Sequence, residues 1–150
     1  MGLIRREELE ATLVEPGLYG VKLIDGGLGS RHIALIRGWM EPGARHSSHT
    51  HDVDEVIVFL SGRAEMEVSG QTYGVGPGDA IHIPPRAVHG SVNTGNEDLC
   101  FVAAFADNLI ASNPLVVAGS SRADTRFASA LRHRLAWLLR RVAGHLVRAP

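Results

Sequence analysis

The stretch Gly43-Ala-Arg-His-Ser-Ser-His49-Thr-His51-Asp-Val-Asp-Glu55-Val-Ile-Val-Phe-Leu-Ser-Gly62 decides how this chain is read. His49 and His51 stand two residues apart, and in an extended strand such residues share a face. Glu55 keeps the same parity, which carries its carboxylate to the same side. Two imidazoles and a carboxylate on one face suit a divalent transition metal and leave coordination positions open for a substrate. Burying these groups without a shared partner would be costly. The stretch therefore reads as a metal site entering a β-strand.

A second stretch, Gly78-Asp-Ala-Ile-His-Ile-Pro84-Pro-Arg-Ala-Val-His89-Gly-Ser-Val-Asn93, adds a fourth candidate ligand, His89. Together the two stretches resemble the paired signature motifs of the cupin superfamily. The first motif runs Gly, five residues, His-x-His, three or four residues, Glu, six residues, Gly, and Gly43, His49, His51, Glu55 and Gly62 meet every term. The second runs Gly, five residues, Pro-x-Gly, two residues, His, three residues, Asn. Gly78, Pro84, His89 and Asn93 fit it, while Arg86 stands where the family usually has glycine. That departure touches the turn before His89 and none of the ligands. The resemblance covers roughly residues 20 to 106. It implies a small antiparallel β-barrel of jelly-roll type with one metal ion on His49, His51, Glu55 and His89.

A length of 150 residues suits one compact domain with a real core, and a 45% apolar content excludes an intrinsically disordered chain. The net charge of −1 gives no general attraction to nucleic acid. Charge is nevertheless uneven: residues 120–150 hold seven arginines against one acid, Asp124, so the rest of the chain is acidic. Cys100 is the only cysteine and lies in an apolar run, which predicts a buried thiol and no internal disulfide. The first residues lack the apolar stretch and cleavage site of a secretory signal, and no run is long enough to span a bilayer. A cytoplasmic protein is expected.

Short apolar runs predict strands over Leu18–Ile24, His32–Trp39, Glu55–Leu60, Ala64–Val68, Gln71–Val75, Ala80–Ile83, Val88–Val92 and Leu99–Phe105. Breaks rich in Gly, Pro, Asn and Ser separate them. Arg5 to Leu13 reads as a short helix ended by Pro16-Gly17. From Asp124 to Val147, Phe127, Leu131, Leu135, Leu138, Val142 and Leu146 recur at the period of an amphipathic helix studded with arginines. The expected organisation is an all-β barrel with a short N-terminal segment over residues 1–112 and a helical extension over 113–150. Such a helix gains its stability from packing, which predicts a homodimer whose helix covers a barrel. A membrane surface or an acidic partner protein is the lesser alternative for that helix.

Around the metal, Ile57 and Phe59 continue the parity of Glu55 and are expected to wall an apolar substrate pocket, with Tyr73 and Phe101 also lining the interior. Trp39 and Met66 line or underlie it. His82 alternates with Ile81 and Ile83, and if those pack in a sheet-to-sheet or subunit interface it faces the cavity near the metal as a general acid or base. His46 has the parity opposite to His49 and reads as a solvated residue. Arg37, Arg45 and Arg86 are candidate anion holders. The resemblance implies an enzyme acting on a small, partly apolar carbonyl or enol compound, with iron(II)-dependent dioxygenation leading. A redox-neutral cyclase, isomerase or lyase, as in cupin-type polyketide cyclases, follows it, and a metal-containing binding or sensor module is the non-enzymatic alternative. Manganese, nickel, copper and zinc also suit the ligand set.

Overall fold

A computed structural model describes residues 2–114. The described strands are β1 (Thr12–Glu15), β2 (Leu18–Ile24), β3 (Ala34–Met40), β4 (Arg45–Thr50), β5 (Glu55–Ser61), β6 (Ala64–Val68), β7 (Gln71–Val75), β8 (Ala80–Ile83), β9 (His89–Asn93), β10 (Leu99–Phe105) and β11 (Asn113–Pro114). They form a six-stranded sheet in the order β1-β2-β3-β10-β5-β8 and a five-stranded sheet in the order β11-β4-β9-β6-β7. Every pairing is antiparallel. The all-β, jelly-roll expectation holds. The expected C-terminal helix and nearly all of the expected extension lie outside the described residues.

Alternation along the strands builds the core between the sheets. On β5, Glu55, Ile57 and Phe59 are buried while Val56, Val58 and Leu60 are exposed. On β10, Leu99, Ala103 and Phe105 point inward to meet Met66 and Ala64 of β6. Phe101 shares their parity and pairs with Gly38 of β3. A Cβ at position 38 would run into the Phe101 ring, so glycine there is what lets the ring lie down against the sheet. Trp39, next along β3, faces the other way and stacks on Tyr19 with ring centroids 5.5 Å apart. It is therefore not an interior residue, contrary to expectation. Cys100 likewise takes the outward side of β10 and is only half-buried.

Arg5 to Leu13 does not form the expected helix. It holds one 3₁₀ turn, Arg6–Glu8, after which β1 starts at Thr12 and pairs with β2. Nine residues are too few to sustain a helix without packing, and Thr12, Leu13 and Glu15 find backbone partners on β2 instead. Strand β4 was not foreseen, because Arg45-His-Ser-Ser-His-Thr50 lacks the apolar alternation that announces a strand. Strand β11 pairs with β4 at the point where the barrel and the extension were expected to divide. Among the described residues no helix is long and apolar enough to cross a membrane.

Candidate metal centre

Neighbouring strands and both sheets supply the centre. His49 on β4 pairs directly with His89 on β9, His51 follows the end of β4, and Glu55 opens β5 in the opposite sheet. All four side chains are buried. His49, His51 and His89 each bring one ring nitrogen to a common point, all within 4.8 Å of one another. His49 Nε2 lies 3.2 Å from His51 Nε2, and Glu55 Oε2 lies 3.5 Å from His51 Nε2 and 3.1 Å from His89 Nε2. The structure thus brings together the four residues singled out in the two motifs.

The other nitrogen of each ring decides what these atoms are. His49 Nδ1 is 2.8 Å from the Ser47 carbonyl, His51 Nδ1 2.6 Å from the Ala111 carbonyl, and His89 Nδ1 2.9 Å from the Ala87 carbonyl. A carbonyl oxygen only accepts, so each Nδ1 carries the proton and donates it. In a neutral ring Nε2 is then a bare lone pair. Burial pushes the His49 pKa down, which keeps that ring neutral. Glu55 Oε2 and His89 Nε2 are buried and have no hydrogen-bond partner among the described residues. Lone pairs and a carboxylate oxygen crowded at 3.1–3.5 Å repel unless a cation lies among them. Donors bound at ~2.1 Å to one ion sit about 3 Å apart when at right angles, so this set fits a divalent metal.

His46 belongs to the same wall, contrary to its reading as a solvated residue. Its ring centroid is 4.1 Å from that of His49. The register explains how: His46 pairs with Ser91 but His49 pairs with His89, so three steps on β4 match two on β9. The extra residue is a β-bulge, and it reverses the parity that sequence spacing implies. Burial, with the neighbouring imidazoles of His49, His89 and His51, lowers the His46 pKa to about 3.

The centre opens on a cavity of about 130 Å³. Ile57, Phe59 and Phe101 line it as expected, joined by Met66, Ile36, Val14 and Ile110. His46, Ser91 and Ser112 add polar groups beside the ligands. Among the described residues no lysine or arginine lines it. Tyr73 does not reach it. That residue pairs with Met66 but sits on β7, an edge strand of its sheet, and it stays 39% exposed. His82 does not reach it either. Ile83 faces inward and is buried, so His82 takes the outer side of β8 and meets Asp54 Oδ1 at 2.7 Å. Arg37 and Arg45 are exposed, and Arg86 pairs with Asp52 on the surface.

The Cupin_2 cupin-domain family model matches residues 39–105. The fold is similar to that of the polyketide cyclase RemF from Streptomyces resistomycificus, with 27% identity, a TM-score of 0.68, and coverage of 79% of this chain and 87% of that one. It is also similar to KdgF from Halomonas sp., with 21% identity, a TM-score of 0.62, and coverage of 71% and 94%. Oxalate decarboxylase OxdC from Bacillus subtilis matches with 29% identity and a TM-score of 0.66, over 73% of this chain but only 30% of its own length. Comparison with curated protein sequences finds no match. Signature residues, barrel and family model agree that residues 39–105 form a cupin domain.

Proposed function

We propose that this protein is a metal-dependent enzyme that acts on an uncharged, largely apolar carbonyl or enol compound in a redox-neutral reaction of the cyclase or isomerase kind. The observation that carries this reading is the buried three-histidine and glutamate centre opening on an apolar cavity without a cationic side chain among the described residues. Among the described residues, a carboxylate substrate would find nothing but the centre itself to neutralise it. Likeness to a polyketide cyclase of comparable length supports the same choice.

A divalent ion bound there supplies a Lewis acid for a carbonyl or enol oxygen. The protein supplies the rest. Ile57, Phe59 and Phe101 bury the apolar body of the substrate and exclude water. Ser91, Ser112 and His46 offer hydrogen bonds that orient its oxygens. The backbone carbonyls behind the three histidines hold the rings in one tautomer.

Iron(II)-dependent dioxygenation is the second reading, favoured by the mixed imidazole and carboxylate donors. OxdC, described with Mn(II) centres, illustrates a third metal chemistry on this fold. Turnover of a poly-β-ketone probe with and without O₂ separates the two readings. We expect an undiminished anaerobic rate with protein loaded with its co-purified metal. A strict oxygen requirement would replace the cyclase reading with the dioxygenase one, and tight probe binding without any turnover would leave a binding module.

A further inference from the structure

Glu15 ends β1 in the six-stranded sheet, yet its carboxylate reaches the five-stranded one. One carboxylate oxygen accepts the Ser47 backbone N–H at 2.9 Å, and the other accepts the Ser47 hydroxyl at 2.8 Å. Ser47 lies in the β4 bulge, between the paired residues His46 and His49, and has no register partner on β9. A bulged residue leaves its backbone groups to be satisfied elsewhere. Glu15 does that from a strand of the other sheet. The Ser47 carbonyl, in turn, is the acceptor that holds His49 Nδ1 at 2.8 Å. One residue is therefore anchored at its nitrogen and its side chain by Glu15, and uses its remaining polar group to set a metal-centre ring.

We propose that Glu15 is a positioning residue of the metal centre, setting the His49 ring through Ser47 and so governing how tightly the three histidines bind an ion. The proposal rests on the metal reading given above. Groups bonded directly to a ligand imidazole change metal affinity by ~10–100-fold when removed. Glu15 acts one residue further out, so its removal is expected at the lower end, about tenfold.

Cobalt(II) uptake by the full chain tests this, because visible bands report the ligand arrangement while chelator competition gives the affinity. Glu15→Ala should bind cobalt about tenfold more weakly, with shifted bands. Glu15→Gln should restore both affinity and spectrum. Its amide oxygen still accepts the Ser47 N–H, and its amide N–H donates to the hydroxyl. Thr12→Ala, on the same strand, should match the unaltered chain. A chain that takes up no cobalt at all overturns the metal reading and this proposal with it. Uptake by the unaltered chain, equalled by Glu15→Ala in affinity and spectrum, overturns this proposal alone. A Gln variant as weak as the Ala variant also overturns it, because charge and not hydrogen bonding would then be at work. Equal weakening by Thr12→Ala overturns it by reducing Glu15 to a seat for β1. If Glu15→Ala fails to fold, Ser47→Ala removes only the hydroxyl arm. It should weaken cobalt about two- to threefold, and no weakening overturns the proposal.

Discussion

His46 and His49 stand three residues apart on one strand and yet present their rings, 4.1 Å between centroids, to the same cavity. Regular pleating would put them on opposite faces. The bulge that unites them needs room on the neighbouring strand, and Gly90 gives it: a Cβ there would come within 2.9 Å of the His46 carbonyl oxygen and 3.3 Å of Ser48 Cα. Both neighbours are backbone, so neither can swing away.

Gly90→Ala should therefore push β4 off β9 next to two metal ligands. The expected cost is ~1–3 kcal/mol of stability, in the range of overpacked cores, with weaker metal binding at the same time. Urea denaturation and metal titration of the one variant check both. Unchanged stability together with unchanged metal affinity would sink the account of the bulge.

Much of this was legible in the sequence, and the exceptions share a cause. Strands with apolar alternation, such as β5 and β10, declare themselves because burial imposes the pattern. That His49, His51, Glu55 and His89 would come together was legible from motif spacing. His46 was not, because its placement depends on an inserted residue that only cross-strand register shows. His82 and Tyr73 were misplaced for a related reason. Parity says which residues share a side, but not which side faces inward or which strand lies at the edge of its sheet. The carbonyls of Ser47, Ala87 and Ala111, which fix the ligand tautomers, are backbone groups with no signature in residue type.

The second prediction concerns the ion. Protein purified without added metal should carry close to one equivalent, and the His49→Ala/His51→Ala double variant should carry none. Removing the ion with a chelator should lower the midpoint of thermal unfolding. A ligand present at a hundred times its dissociation constant stabilises the folded state by about 2.7 kcal/mol. Elemental analysis and calorimetry measure the two effects. A double variant that keeps a full equivalent would place the ion elsewhere.

The third concerns Arg86, which takes the glycine position of the second motif with φ at 65°. A left-handed conformation costs a residue with a side chain ~1–2 kcal/mol. Its amide donates to the His51 carbonyl at 2.6 Å and its guanidinium pairs with Asp52 at 3.1 Å, which holds the turn in place. Exposed pairs of this sort contribute roughly 0–1 kcal/mol. Arg86→Gly should thus be neutral to stabilising by up to about 1 kcal/mol, after the entropy of a freer unfolded chain is offset. Arg86→Val should destabilise by about 1 kcal/mol or more, since a β-branched residue tolerates this conformation least. The reverse order in a urea titration would contradict the strain.

The last prediction is the pH dependence of the metal-free protein. In the folded state the His46 pKa is lowered from 6.5 to about 3, with burial the main cause, and His49 is shifted in the same direction. In the unfolded chain both rings titrate near 6.5. Between these values the unfolded state binds protons that the folded state refuses, so stability rises with pH there and falls as acid is added. Above about pH 7 neither ring is protonated in either state, and their contribution is flat. Metal-free protein should accordingly show level stability from about pH 7 to 8 and a steady loss from about pH 6.5 downward. Each such ring contributes a slope of at most ~1.4 kcal/mol per pH unit. Replacing His46 with glutamine removes one titrating group and should flatten that slope by up to this amount, without changing the plateau's pH range. Urea midpoints of both chains at pH 7.5, 6.0 and 5.0 measure the difference. Equal slopes would mean that His46 is solvated and protonates freely in the folded protein.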